Sequence, residues 1–232
     1  MKDSFFDTSV IIHYGSHSKH IQQDIIVKKC YDYIIQKKGK YFLCYYVESE
    51  IKNRVRKRRI IYDETIRKMK DPQYEIGSSL VSKELKERDL IYARKIYELH
   101  RKTKVEEVSK IFAQEHSLFE RKLDQFLKFM VDEKLIPINS IKEEIISVLH
   151  EFFTNYADCK VLASAFQAQE GRANFYLVAA DKDFDEPGYA FIKEDSRMKK
   201  YQFPELCNLL NKKIDAPPRL KSRGLKRCSI FG

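Results

Sequence analysis

Glycine and proline are scarce, at 7 and 6 of 232 residues, which excludes linker-rich or low-complexity architecture. No apolar run approaches the roughly 18–20 residues that a bilayer-crossing helix needs. The opening Met1-Lys2-Asp3-Ser4-Phe5 turns straight into a strand-like segment rather than a secretory leader. These absences predict a soluble, cytoplasmic protein with no membrane partner. Cys30, Cys44, Cys159, Cys207 and Cys228 are odd in number, scattered and never spaced C-x-x-C. That pattern gives neither a zinc site nor a disulfide framework, and predicts reduced core thiols. Of the six histidines, His13, His17 and His20 are near one another, but no matching metal ligands follow. The chain has no internal repeat.

Hydrophobic residues make up 43% and charged residues 34%, enough for one globular domain carrying an elaboration. The formal net charge is +10, which favours a polyanionic partner, nucleic acid before anionic membrane. Two stretches concentrate the charge: Lys52, Arg54, Arg56, Lys57, Arg58 and Arg59, and a tail with Arg219, Lys221, Arg223, Lys226 and Arg227. A run such as 52–59 reads either as an exposed helix face or as a set of salt-sensitive, sequence-blind phosphate contacts.

Phe5-Phe6-Asp7 reads as a strand over 3–7, followed by Val10-Ile11-Ile12, an apolar segment too brief for a helix. Ser18 is placed to cap a helix running to about Lys38, with Ile21, Ile25 and Ile34 among its apolar positions and Gly39 as its stop. Tyr41-Phe42-Leu43-Cys44-Tyr45 is a second strand, and a helix holding Glu50 and the basic run starts near Val47. Residues 80–153 read as helical throughout, with capping-box spacing at Thr103/Glu106, Ser117/Glu120 and Ser140/Glu143. Tyr156 to Glu170 reads as a helix ended by Gly171, and Phe175 to Ala180 as a buried strand stopping at Asp181. Tyr189-Ala190-Phe191-Ile192 suggests a further strand, Pro204 the first turn of a helix ending near Leu210, and Pro217-Pro218 the start of a tail. Strands separated by helices imply a mainly parallel sheet in an α/β fold. One domain over 1–215, a helical insertion at about 75–150 and a basic tail over 216–232 follow.

Ligands of such folds bind beyond the carboxyl ends of the strands, and two of these strands end in aspartate, Asp7 and Asp181. Asp158 falls in the first turn of its helix, where the macrodipole favours an anion, and Glu50 near the start of another. Hard divalent cations take oxygen ligands, and phosphodiester hydrolysis requires charge neutralisation and an activated water. Four convergent carboxylates fit that chemistry. Glu106, Glu120 and Glu143 are better explained as helix caps.

These residues resemble the PIN domains, a family of metal-dependent nucleases. Phe6-Asp7-Thr8-Ser9-Val10-Ile11 looks like its first motif, and Val47-Glu48-Ser49-Glu50-Ile51 its second. Ala157-Asp158-Cys159-Lys160-Val161-Leu162-Ala163-Ser164-Ala165 resembles the third, and Leu177-Val178-Ala179-Ala180-Asp181-Lys182-Asp183-Phe184 the fourth. The resemblance covers the first 60 or so residues and those from about 155 to 192. It implies a three-layer α/β/α sandwich and metal-dependent endonucleolytic cleavage of RNA. It also implies that Asp7, Glu50, Asp158 and Asp181 bind one or two Mg²⁺ or Mn²⁺ ions. Ser9 would position the first carboxylate, a water or the substrate phosphate. Lys52, Arg54 and Arg56 are the candidate contacts to the RNA backbone.

The long helical middle departs from the smallest PIN proteins and is open as a groove extension, a dimerisation element or a docking site. Ala179 stands where the family often has threonine. Glu48 competes with Glu50, which is favoured because Ile51 follows it, and Asp183 and Asp185 compete with Asp181. The rival readings are a PIN-like module that binds RNA or protein without cutting, a haloacid-dehalogenase-type phosphatase, and a toxin held by an antitoxin-like inhibitor. The phosphatase needs an aspartate where Ser9 stands, and the chain is long for the toxins.

Overall fold

The computed structural model describes residues 3–17, 24–170, 175–182, 184 and 186–211. Strand β1 (Asp3–Phe6) ends where Asp7 caps helix α1 (Thr8–Ser16), accepting the Ser9 backbone N–H at 2.9 Å. Val10-Ile11-Ile12 is therefore helical rather than too brief for a helix. The cap satisfies an orphan N–H, and Val10, Ile11 and Tyr14 fall on one buried stripe. Helix α2 (Ile25–Gln36) starts later than expected, with Asp24 accepting from the Ile26 and Val27 N–H groups. It ends at Lys37, two residues before Gly39, with φ 37° in the left-handed region. Ser18, His20 and Ile21 lie outside the described residues, as do Gly171, Asp183, Asp185, Cys228 and the basic tail.

Strand β2 (Tyr41–Cys44) runs directly into the long helix α3 (Tyr45–Lys70). Helices α4 (Glu87–His100) and α5 (Val105–Gln125) follow, and α5 is prolonged by a single π-turn over Phe126–Met130. Then come β3 (Glu133–Leu135), α6 (Glu143–His150), α7 (Tyr156–Gln169), β4 (Phe175–Ala179), α8 (Glu186–Glu194) and β5 (Glu205–Asn208). The five strands form one parallel sheet in the order β3-β2-β1-β4-β5, as three-layer α/β/α folding requires. The pleat sorts the aromatics between the two faces. Phe6 packs edge-on against Tyr33, Tyr41 and Phe126, on the side of α2 and the end of α5. Phe5 and Phe42 both meet Phe175 on the other face.

Four further local expectations fail. The middle is not helical throughout, since β3 adds a charged edge strand whose Glu133 and Lys134 disguise it. Residues 189–192 are helical, and Tyr189 and Ile192 are buried while Ala190 and Phe191 are exposed, an i, i+3 pattern. The segment after Pro204 is edge strand β5, a position that tolerates a missing N–H. Ser117 sits inside α5, and Thr103 and Ser140 precede the true N-caps, Lys104 and Lys142.

Apart from the main core around the sheet, a second cluster forms an arm. It joins the later part of α3, α4 and the first half of α5 through nine buried apolar residues, Phe112 and Ile61 among them. Residues 75–150, read as an insertion, divide between the two bodies: Phe119, Leu123, Phe126 and Ile145 belong to the sheet core. Buried polar pairs fasten the arm. Lys57 meets Asp89 at 3.3 Å. Fully buried Glu64 accepts from the Tyr74 hydroxyl at 2.9 Å and the Gly77 N–H at 2.7 Å. Gly77 has φ 103°, where a side chain would be strained. At the base of the arm α3 and α5 lie side by side, with the Arg58 guanidinium 3.8 Å from the Phe119 ring and His116 Nε2 3.2 Å from the Val55 carbonyl.

Candidate active site

The strand order reverses between β1 and β4, which opens a crevice at their carboxyl ends. Asp7 occupies the end of β1 and Asp181 follows the end of β4 by two residues. The ladder continues into the site, because the Asp7 N–H donates to the Val178 carbonyl at 2.9 Å. Ser9 joins the two strand ends: its hydroxyl donates to the Asp7 carboxylate and accepts the Ala180 N–H at 3.0 Å.

Asp7 is 4% exposed. Burial pushes its carboxyl up to about 6, the Ser9 hydroxyl and N–H pull it down, and the charge of Glu50 pushes it up again. That repulsion places Glu50, 43 positions later in the chain, within electrostatic reach of Asp7. The Thr8 hydroxyl donates to Glu50 Oε2 at 2.5 Å, so the β1–α1 turn holds the start of α3 directly. Glu48 is engaged elsewhere, paired with Lys52 and with Lys134 of β3, each at 2.9 Å. Burial opposes its ionisation, but the two lysines hold its carboxyl below the usual range.

Asp158 is buried in the first turn of α7, behind the Asn155 cap. Tyr46 feels both Glu50 and Asp158; burial and then these two charges push its phenol up to about 12. Lys160, one turn and a half into α7, stands 5.1 Å from the Tyr46 ring and 4.9 Å from that of Tyr156. Asp181 is half-buried, and its turn is held from β5: Asn208 Nδ2 donates to the Asp181 carbonyl at 2.8 Å and the Phe184 carbonyl at 2.6 Å. His13 of α1 faces the same end; burial lowers its pKa, and the charges of Asp24 and Asp181 raise it.

The structure thus links Asp7 to Glu50, links Glu50 to Asp158 through Tyr46, and ties Asp7 to the Asp181 turn through Ser9. Among the described residues, no three Asp, Glu, His or Cys side chains stand close enough to hold a metal ion as they are. The donor chemistry nonetheless fits a hard divalent cation. All four groups offer oxygen, and Asp7 carries the desolvation and like-charge penalties that a cation relieves. The thiols of Cys30, Cys44 and Cys159 are buried and pushed up to about 12, 11 and 11, so they are inert core groups.

The three basic candidates run up α3 away from the carboxylates. Lys52 pairs with Glu48, Arg56 with Glu84, and Arg54 lies 4.0 Å from Asp89. Lys52 and Arg56 line a cleft of about 790 Å³ between α3 and α5, together with Arg59, Tyr62, Phe112 and His116. A second cleft, of about 470 Å³, opens against Asp158 and is lined by Phe152, Asn155, Lys182 and Phe191.

Sequence reasoning passed over Thr8, His13, Tyr46, Lys160, Lys182 and Asn208. Thr8 and Lys182 adjoin motif aspartates and so carried a local signal. Asn208 had none, because its role depends on β5 pairing with β4. No helix among the described residues is long and apolar enough to cross a membrane. No protein-family model matches the chain, and no curated protein or solved structure matches it.

Proposed function

We propose that this chain is a metal-dependent nuclease of the PIN type, cleaving phosphodiester bonds of RNA at the carboxyl end of its sheet. The observation that carries the reading is the meeting of Asp7 and Glu50 at the β1/β4 crevice, bridged by Thr8 and braced by Ser9. A solvated surface has no reason to bury Asp7 beside a second carboxylate, since the charge of Glu50 raises the cost of ionising it.

Asp7, Glu50, Asp158 and Asp181 would hold Mg²⁺ or Mn²⁺. A cation bound there supplies Lewis acidity and acidifies a water for hydrolysis. The chain's own groups do the rest. Ser9 fixes the rotamer of Asp7 by donating both its N–H and its hydroxyl to one carboxylate oxygen, Oδ2. Thr8 holds one oxygen of Glu50, and Asn208 fixes the backbone from which Asp181 projects. Lys52, Arg54 and Arg56 serve as contacts to the RNA backbone; the side chains of Lys52 and Arg56 are well exposed, and Arg56 exchanges its surface partner Glu84 for a phosphate at little cost.

The deciding experiment follows labelled single-stranded RNA with wild type, Asp7→Asn and Asp158→Asn in Mg²⁺, Mn²⁺ or EDTA. Cleavage is expected to stop on chelation and to fall at least about 100-fold in each folded variant, the scale of losing a group that supports the transition state. Cleavage that survives both substitutions overturns the site. A wild type that binds RNA but cuts neither RNA nor DNA in any metal overturns the nuclease reading in favour of a binding module.

A further inference from the structure

The cleft beside Asp158 has a wall chemistry that the hydrolytic site does not explain. Phe191 on α8 is 65% exposed and Phe152, just past α6, is 42% exposed, and both line the same opening. A phenylalanine has no polar atom to satisfy, so its ring gains nothing from water. One exposed ring on a surface is ordinary, whereas two at the mouth of one concavity mark a face built for a flat apolar partner. Tyr156, 42% exposed, stands in the turn of α7 next to lining residue Asn155. Two of the six exposed aromatics among the described residues thus line this one cleft.

The polar groups of the cleft narrow the partner further. Exposed Lys182 provides a cation, Asn155 and Thr154 provide donors and acceptors, and Asp158 connects the opening to the carboxylates. A lipid or a purely apolar peptide uses the rings and leaves these groups idle. A nucleotide uses all of them, with its base on the rings, its edge on the amide or hydroxyl and its phosphate on Lys182. The net charge of +10 favours the same polyanion.

We infer that the Phe152–Phe191 cleft receives an unpaired nucleobase of single-stranded nucleic acid, with the adjoining phosphate at Lys182, on the approach to Asp158. The inference rests on the nuclease reading for the identity of the strand, and it makes that reading specific for unpaired substrate. A base stacked in a duplex presents no free face to either ring.

The test uses the full chain in EDTA, so that binding is read without cleavage. The probe is a single-stranded RNA of about 12 nucleotides, a length that spans a typical single-strand site, carrying 2-aminopurine at successive positions. Wild type is expected to quench the fluorophore at one position and to prefer the single strand to the matching duplex. Phe152→Ala and Phe191→Ala should each weaken binding about 10-fold, the scale of one lost stack, and abolish the quench. Phe152→Tyr and Phe191→Tyr should retain both. Both phenylalanines are exposed, and melts by circular dichroism verify that the variants fold. The inference is overturned by a wild type that binds no single strand, by alanine variants that bind and quench as wild type does, or by equal loss on the duplex. A chain that stacks the probe but never cuts with Mn²⁺ keeps the cleft and loses the nuclease. One that cuts normally with both phenylalanines replaced keeps the nuclease and loses the cleft.

Discussion

The sheet body and the arm solve the same problem with different materials. Around the sheet, apolar side chains from both faces supply the stability, and at its carboxyl end two carboxylates, Asp7 and Glu50, repel each other. The arm has only nine buried apolar residues and takes its definition from buried polar pairs in which every charge has an opposite or a donor. Asp7 and Asp89 state the contrast. Both are nearly buried aspartates at helix N-termini, yet burial and Glu50 raise the first. For Asp89 burial opposes ionisation, but the Lys86 N–H, Lys57 and Arg54 outweigh it and depress the pKa. The arm's charge is answered within the fold, whereas Asp7 carries the cost of burial and of a like-charged neighbour.

The sharpest way to break the comparison is to remove one partner of the arm's pair. Lys57→Met should cost about 3–5 kcal/mol in denaturant unfolding, the penalty of a stranded buried carboxylate. Lys57→Met with Asp89→Leu should recover most of that, short of about 1 kcal/mol for the lost N-terminal bond to Lys86. Equal losses in the single and double variants would show that the pair is not desolvated as described.

The site should answer to pH in the opposite sense to the arm. Asp7 titrates near 6 in the fold against 3.8 unfolded, so between those values the folded chain binds more protons. Its contribution is full below pH 4 and lost as pH rises through 6, a swing of up to about 3 kcal/mol. In chelator, Asp7→Asn should therefore be the more stable chain at pH 7.5, with the gain gone by pH 4. Asp89 runs the other way: its contribution is present above the ordinary aspartate range and fades as pH falls through its depressed value. Asp89→Asn should be harmful at neutral pH and nearly neutral in acid. Parallel pH curves for the two variants would remove the distinction between the regions.

Smaller effects refine it. Tyr74→Phe and Gly77→Ala should each cost about 1–2 kcal/mol, the first through a hydrogen bond to a carboxylate and the second through left-handed strain. Hydrogen exchange should then accelerate at residues 71–77 and not in the sheet. Smallest for stability is Asn208→Ala, at about 1 kcal/mol. Under the proposed function it should weaken Mn²⁺ binding about 10- to 100-fold by loosening the Asp181 turn, measured by calorimetry. Unchanged affinity would relieve Asn208 of that role.

What could be read from the sequence follows the same division. β1, β2 and β4 are apolar runs bounded by charge, so the central strands and their terminal aspartates were legible. The edges were not: β3 is spelled Glu-Lys-Leu and β5 follows a proline, because edge strands are chosen not to look sticky. In α1, the brevity of the Val10–Ile12 run spoke against a helix, and the cap by Asp7 decided otherwise. Preference for Glu50 over Glu48 rested on a following isoleucine, whereas the physical reason lies in tertiary contacts: two lysines take Glu48, and Thr8 takes Glu50. Asn208 and Phe191 were invisible as site residues, since both lie in elements whose secondary structure was misjudged.

Arg58 lying on Phe119 has a meaning for the gene as well as for the fold. The chain enters and leaves the arm at adjacent points, and all four carboxylates are encoded outside the stretch between them. Such an appendage can be lengthened, shortened or exchanged by a single in-frame event that leaves the sheet and its acidic end untouched. In this architecture the acidic crevice and the arm occupy separable stretches of the chain, and a chain lacking residues 59–118 would be expected to retain the same crevice.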